Sequence, residues 1–203
     1  RQVFVDLPAR VSRSEKLTQL VHEVTQAPLQ SLDGDSVPDD DRRVLVLGAR
    51  LPELNSVADH LVNGDNIIRI DGFGDAKNAY GPASNSHRLY EAIWDSDAIV
   101  SSAQYALQEG VFHSMTSGYE SARPHSSRFF DTIVILGAET LTEPEYVFLR
   151  DLADRTVAVG DANRESPEMV SEEAREKGLA ESYYVNAYKR FSTISSKSAK
   201  SIS

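Results

Sequence analysis

Four residues of this chain have types and positions that could support phosphoryl-transfer chemistry. Asp161 directly follows the apolar segment T-V-A-V-G, and Glu139 follows I-V-I-L-G-A. Arg13 and Ser14 begin a helical pattern that follows a β-branched segment at the amino terminus. Carboxylates near the end of a strand can hold Mg²⁺ and polarise water, and the amino end of a helix favours an anion. Together these groups would suit nucleotide binding and hydrolysis, provided that the fold brings them to one place.

Each of these residues also has a plain structural interpretation. Asp161 can be a turn residue or the cap of the next segment, and it remains the candidate acid. A P-loop needs glycines whose N–H groups converge on phosphate, followed by Lys and Ser or Thr. The stretch from Leu7 to Leu17 has no glycine and reads equally well as an ordinary strand, loop and helix.

The stretch Phe130–Glu145, F-D-T-I-V-I-L-G-A-E-T-L-T-E-P-E, has the frame of a catalytic site without its acids. Leu136 and Gly137 stand where a nucleotide-hydrolysing protein would carry carboxylates at the end of the strand. Glu139 lies three residues past the metal-binding position, so its side chain is expected to point elsewhere. Thr142-x-x-Glu145 is a capping-box pattern, which predicts that Glu145 caps a helix rather than catalyses.

The composition restricts the class of protein. The chain has 203 residues, a net charge of −10 and a pI near 5.0, which suits one globular domain and argues against a broad phosphate-binding surface. It has no cysteine, which excludes disulfides and thiolate metal sites. No apolar run approaches the ~18 residues of a membrane span, and no signal-peptide pattern opens the chain. We expect an intracellular protein, cytoplasmic if prokaryotic, and Arg1 suggests a piece of a longer chain.

Apolar periodicity predicts alternating strands and helices. The predicted strands are Arg1–Leu7, Val44–Leu47, Asn66–Ile70, Ala98–Ser101, Ile133–Ile135 and Thr156–Val159. The first predicted helix begins at Ser14. The other predicted helices are Pro52–Val62, Ser86–Trp94, Ala103–Gly110 (helix or turn), Glu143–Leu152 and Met169–Lys177. Ser182–Phe191 is a last helix or strand, Gly72–Asn85 and Met115–Ser127 are loops, and Gln30–Arg43 is a linker.

This order predicts an α/β fold, a three-layer, doubly wound and mainly parallel sheet. Runs such as V-L-V-L and I-V-I lack alternation, so helices should cover both faces of the sheet and supply the long crossovers. Ligands of such sheets bind at the carboxyl ends of the strands. Here those ends are Leu7-Pro8, Gly48-Ala49, Ser101-Ser102, Leu136-Gly137 and Gly160-Asp161. The domain should cover residues 1–191, and residues 192–203 should be a Ser/Lys-rich tail or linker.

Basic and aromatic residues in or near the two long loops could form a track for single-stranded nucleic acid. Arginine and lysine would follow the backbone, and aromatic rings would stack on bases. The alternative is an ordinary solvated loop. The residues are Arg69, Lys77, Arg88, Arg123, Arg128, Tyr80, Tyr90 and Trp94.

The motifs and their order resemble the first RecA-like domain of superfamily 1 helicases. The branch that holds RNA-surveillance helicases and replication nuclease–helicases is the most similar. The matching segments are V-L-V-L-G-A-R, I-I-R-I-D-G, A-I-V-S-S, F-D-T-I-V-I-L-G-A-E-T-L-T-E-P-E, V-A-V-G-D-A-N-R-E-S-P and G-L-A-E-S-Y-Y. The similarity extends to about Phe191 and implies a RecA-like P-loop NTPase fold.

The departures from the family pattern affect its reactive positions. The P-loop glycines become Leu7, Arg10 and Ser12, and its lysine becomes Arg13. The metal-binding Asp and the catalytic Glu become Leu136 and Gly137. A Gln becomes Thr140, and the γ-phosphate-sensing Gln becomes Arg164; Ser14, Gly160, Asp161 and Pro167 agree with the pattern.

The resemblance implies nucleotide contacts at Arg13, Ser14, Gly160, Asp161 and Arg164, with Ser14 and Glu139 as candidate metal ligands. Losing the cradle, the metal ligand, the base and the sensor together should abolish hydrolysis. The first hypothesis is a pseudoenzyme domain of a larger protein that acts as a scaffold or nucleic-acid-binding module. The second is a divergent helicase lobe that still uses ATP and Mg²⁺. The third is a protein-interaction domain; the partners would be single-stranded DNA or RNA, the remainder of a helicase-type chain, or other proteins, and no membrane.

Overall fold

The computed structural model describes residues 2–7, 13–26, 43–61, 67–70, 79–80, 92–109, 112, 128–163, 172–177 and 182–190. Its strands are β1 Gln2–Asp6, β2 Val44–Gly48, β3 Ile67–Ile70, β4 Ala79–Tyr80, β5 Ala98–Ser102, β6 Phe130–Leu136 and β7 Ala153–Gly160. Its helices are α1 Arg13–Gln26, α2 Leu51–Leu61, α3 Ala103–Glu109, α4 Glu143–Arg150, α5 Glu172–Glu176 and α6 at residues 183–190. A single helical turn at 92–95 and a 3₁₀ turn at Ala138–Thr140 complete these elements.

The strands form one seven-stranded sheet in the order β1-β7-β6-β2-β5-β3-β4, and every described pair is parallel. The prediction of an α/β fold with a parallel sheet is therefore confirmed. The central strands β2, β5 and β6 are buried along their whole length. Their apolar runs without alternation follow from this burial, since each side chain meets a helical layer on one face or the other.

Two apolar clusters lie on the two faces of the sheet. Leu45 and Leu47 of β2 share one cluster with side chains of α3, α4 and α6. Val44 and Val46 share the other cluster with side chains of α1 and α2. Successive residues of a strand point to opposite faces, so β2 contributes to both halves of the core, as do β5, β6 and β7. The result is the expected arrangement of three layers.

The direction of each crossover accounts for the face on which its helix lies. The connection from β1 through α1 to β2 and the connection from β2 through α2 to β3 both run toward the β4 edge. The connections through α3 and α4 run back toward β1 and lie on the opposite face. Crossovers that keep one hand must change face when they reverse direction.

Several predicted boundaries were wrong or fall outside the described residues. Ala79–Tyr80 forms β4 within a segment predicted as a loop, and β7 begins at Ala153 rather than Thr156. Residues 183–190 are helical, which settles the choice left open for that segment. The predicted tail at 192–203 and most of the predicted helix Ser86–Trp94 lie outside the described residues. No helix in the described part of the chain has the length and apolar character to cross a bilayer.

Candidate functional site at the carboxyl edge of the sheet

The strand ends singled out in the sequence lie next to one another in the sheet. The register places Asp6 of β1 beside Gly160 of β7, and Leu136 of β6 beside Val159 of β7 and Gly48 of β2. Because all of these strands run parallel, their carboxyl ends share one edge of the sheet. The predicted candidate positions at the ends of β1, β7 and β6 are thus brought together.

Leu136, at the position expected of a metal-binding Asp, is part of the hydrophobic core. Its side chain is fully buried, in the apolar cluster that contains Leu17 and Val21 of α1. Those two residues recur four apart on the inner face of α1, which follows from its helical period. The position therefore supplies packing where a metal site would need a carboxylate oxygen.

Gly137, at the position expected of a catalytic Glu, has a left-handed backbone with φ 72° and ψ 32°. This conformation favours glycine and starts the 3₁₀ turn, in which the Thr140 hydroxyl donates a 2.8 Å hydrogen bond to the Gly137 carbonyl. A Cβ on Gly137 would lie 3.3 Å from Cγ of Arg50. The stem of Arg50 thus occupies the space beside this glycine.

Glu139 is turned into the protein rather than away from it. Its side chain is fully buried, and Oε1 pairs with Nη2 of Arg50 at 3.5 Å. Its Oε2 would lie 2.7 Å from a Cβ at Gly160. The expectation that Glu139 points away from the sheet edge was wrong, because the 3₁₀ turn carries it back toward β7.

Asp161 forms a turn at the end of β7. Its Oδ1 accepts a 3.0 Å hydrogen bond from the N–H of Asn163, and Oδ1 of Asp6 accepts one of 3.0 Å from the N–H of Ala162. Both carboxylates therefore bind the backbone that leaves β7. This arrangement agrees with the turn interpretation of Asp161 and fixes the geometry of the Gly160-Asp161 segment.

Two residues missed in the sequence complete this edge. Arg50 is the last residue of the quoted segment V-L-V-L-G-A-R but was given no role there, although a charge just past a buried strand was the signal that could have identified it. Tyr184 lies on α6, and its ring would contact a Cβ at Gly160 at 2.8 Å. Its hydroxyl donates a 2.8 Å hydrogen bond to the carbonyl of Val5. No local pattern in the sequence links Tyr184 to β1, which lies far away along the chain.

Burial controls the ionisation of two tyrosines near this edge. It raises the pKa of Tyr184 well above its ordinary value, and the nearby carboxylates of Asp6 and Glu139 raise that pKa further. Burial also raises the pKa of Tyr146, with a smaller contribution from Tyr183. The hydroxyl of Tyr146 has no hydrogen-bond partner in the described part of the chain.

These pKa shifts predict a loss of stability at alkaline pH. Below about pH 10 both phenols are neutral in the folded and unfolded chains; above it the unfolded chain loses protons that the folded chain keeps. Each phenol should then lower the free energy of unfolding by up to about 1.4 kcal/mol per pH unit. Urea unfolding between about pH 9 and pH 11 measures this slope, and Tyr146→Phe and Tyr184→Phe should each reduce it.

The same two variants should differ at neutral pH. Tyr184→Phe loses the bond to the Val5 carbonyl, a cost of about 1 kcal/mol. Tyr146→Phe loses no described hydrogen bond and keeps its stacking on Tyr183, with ring centroids 4.7 Å apart. It should therefore be neutral or stabilising. Unchanged alkaline slopes in both variants would contradict the assignment.

The described residues at this edge do not fit a bound Mg²⁺. Leu136 carries an aliphatic side chain and Gly137 has no side chain, so neither position supplies a carboxylate. Among the described residues, no group of three or more His, Asp or Glu side chains could hold a metal ion. The backbone of α1 begins at Arg13, one residue before the predicted start at Ser14. The side chains of Arg13 and Ser14 lie outside the description, as do Arg164 and Pro167.

Two of the arginines predicted to line a nucleic-acid track are buried or lie close to a carboxylate. Arg69 is buried, 7% exposed, and donates a 2.7 Å hydrogen bond to Oδ1 of Asn55, so its place in an open track was wrong. Arg128 lies within 3.9 Å of the Asp151 carboxylate. Trp94 is 41% exposed, and the Arg43 guanidinium lies 4.1 Å from the centre of its ring. Lys77, Arg88, Arg123 and Tyr90 lie outside the described residues.

Comparison with known proteins adds no relative. No family model matches the sequence, and a search of the curated proteins finds no match. The resemblance to helicases therefore rests on the quoted motifs and their spacing. Because one fold hosts many activities, function has to be argued from the geometry of the sheet edge.

Proposed function

We propose that this chain is a RecA-like domain of the P-loop NTPase fold that no longer hydrolyses nucleotide and serves as a scaffold in a larger protein. The observation that carries this proposal is the complete burial of Leu136 in the core at the end of β6. The helicase-like motifs fall at the ends of the adjacent strands β1, β7 and β6, which supports the fold assignment.

The charges at the edge argue against hydrolysis by another route. Phosphoryl transfer depends on positioned positive charge around the transferred phosphate. Besides the paired Glu139, two carboxylates, those of Asp6 and Asp161, lie at or next to the ends of β1 and β7. The described residues form no group that could hold a metal ion, so these carboxylates repel a polyphosphate. Arg50 is already paired with Glu139.

The distribution of charge also favours a scaffold function over nucleic-acid binding. Binding to a phosphate backbone draws on accessible Lys and Arg side chains. Arg69 is buried, Arg128 faces Asp151, and the chain carries a net charge of −10. A protein partner places no such demand on the surface charge.

Calorimetric titration with a non-hydrolysable ATP analogue and Mg²⁺ tests the loss of nucleotide chemistry. We expect no heat of binding and no phosphate release from ATP, with a known ATPase as the positive control. ATP turnover by the wild-type domain that is abolished in Asp161→Ala would overturn the proposal in favour of a divergent ATPase.

Fluorescence anisotropy with labelled single-stranded DNA and RNA separates the scaffold from a nucleic-acid-binding module. For the scaffold we expect weak binding with little dependence on salt. Affinity that falls steeply and linearly on a log–log plot of salt concentration would indicate several released counterions and favour the nucleic-acid module. Trp94→Ala would then locate the contact, since base stacking on an exposed ring contributes about 1–3 kcal/mol.

A further inference from the structure

We propose that Arg50 is a built-in cation that completes the carboxyl edge of the sheet, so that the fold needs no bound metal ion or nucleotide there. This inference concerns how the edge is stabilised and does not depend on a helicase origin. It rests on the positions of Arg50, which follows β2, and of Gly137 and Glu139, which follow the neighbouring strand β6.

The ion pair lies where the chain leaves two neighbouring strands toward opposite faces. After β2 the chain enters α2, which packs on the face of Val44 and Val46. After β6 it enters the 3₁₀ turn and α4, which packs on the other face. Divergent connections at strand ends mark the position where doubly wound sheets bind their ligands. In this chain, Arg50 and Glu139 meet across that position.

Gly137 makes room for the arginine. A side chain there would start 3.3 Å from Cγ and 3.6 Å from Cδ of Arg50, and 3.6 Å from Oε2 of Glu53. The missing side chain lets the stem of Arg50 lie against the backbone of the turn. The guanidinium can then reach Oε1 of the buried Glu139 while its own side chain stays 31% exposed.

The carboxylate of Glu139 is held from two sides. Arg50 lies on the side of β2, and Gly160 and the ring of Tyr184 lie on the side of β7. Tyr184 is in turn bonded to Val5 of β1. These contacts connect the ends of β2, β6, β7 and β1.

An arginine differs from a metal ion in being permanent. The guanidinium stays charged at every physiological pH and cannot dissociate from the chain. A buried carboxylate is costly when the cation beside it is removed, whereas a neutral isostere at the same place removes most of that cost. The proposal therefore predicts strong coupling between Arg50 and Glu139.

A double-mutant cycle tests this coupling. Arg50→Met keeps the aliphatic stem and removes the charge, and we expect it to lower the folding equilibrium constant at least tenfold in urea titrations. Glu139→Gln keeps the shape of the side chain. In the Glu139→Gln background, Arg50→Met should lower the constant less than threefold. Equal losses in both backgrounds would overturn the proposal.

Arg50→Lys supplies the second readout if Arg50→Met does not fold. Arg50→Lys keeps the charge but loses the planar guanidinium group. Its loss of stability should therefore be clearly smaller than that of Arg50→Met, or it should fold where Arg50→Met does not. Failure of both variants to fold while Glu139→Gln/Arg50→Met folds supports the proposal as well. Equal stability losses in the Lys and Met variants would show that charge is irrelevant and overturn it.

Mg²⁺ and the ATP analogue provide the ligand arm of the experiment. Neither should raise the melting temperature of the wild-type domain, and a rise with Mg²⁺ alone would overturn the role of Arg50 as the resident cation. ATP hydrolysis by the wild type would contradict the loss of activity without affecting the coupling. An additive cycle would contradict the built-in cation without restoring hydrolysis.

Discussion

Leu136→Asp should lower the free energy of unfolding by about 4 kcal/mol or more, or prevent folding, and should create no Mg²⁺ site. Leu136 is fully buried in the cluster formed by α1, α2 and the sheet. A carboxylate there would lose its hydration in apolar surroundings and would leave the space of the leucine partly unfilled. A carboxylate at this position would therefore act against the fold.

Urea unfolding in the presence and absence of Mg²⁺ measures this effect. Leu136→Met is the matched control, because it conserves volume and polarity and should cost less than about 1.5 kcal/mol. A Leu136→Asp variant that is folded, and whose stability rises with Mg²⁺ while the control's does not, would contradict the prediction. It would also revive a metal-dependent function for this edge.

A glutamate in place of Gly137 would be unfavourable for a different reason. It would have to adopt φ 72° and displace the stem of Arg50. The two changes at the end of β6 thus have unrelated physical consequences, one in the core and one in the turn. Acids at both positions would therefore require that the core under α1 and the Arg50–Glu139 pair both be rebuilt.

The sequence determined most of the sheet because its central strands carry an unambiguous signal. V-L-V-L and I-V-I-L are short apolar runs rich in β-branched residues and followed by a glycine, which favours strands over helices. The structure extends the predicted I-V-I strand to Phe130–Leu136. Ala79–Tyr80 gave no such signal, since two residues cannot form an apolar run. The first residues of β7, A-D-R, are held by pairing with β6 rather than by their own composition. Strand pairing of that kind is a tertiary effect that local propensity cannot reveal.

For the candidate site, the sequence could predict only which side chains are absent. The resemblance to helicases predicts acids at positions 136 and 137, and the sequence carries Leu136 and Gly137 there. The direction of Glu139 could not be predicted, because it depends on the left-handed turn at Gly137 and on space left by Gly160. Arg50 and Tyr184 reach the edge from other elements, so their contribution depends on the packing of α2 and α6 and not on neighbouring sequence.

Gly160→Ala should lower the free energy of unfolding by about 3 kcal/mol, at the upper end of the usual cost of overpacking. A Cβ at this position would lie 2.7 Å from Oε2 of Glu139 and 2.8 Å from Cε1 of Tyr184. Both neighbours are fixed, since Glu139 is paired with Arg50 and the Tyr184 hydroxyl is bonded to Val5. Relief of the clash would therefore break one of these contacts.

Gly137→Ala is the informative comparison for this variant. Its Cβ would lie 3.3 Å from the flexible stem of Arg50 and 3.6 Å from Oε2 of Glu53, an ordinary contact, so the main cost is the left-handed backbone, about 1–2 kcal/mol. Urea titration of both variants should rank Gly160→Ala as the more damaging, and the reverse order would contradict the packing argument. In this fold, Gly160 is required because a buried carboxylate and an aromatic ring close over it.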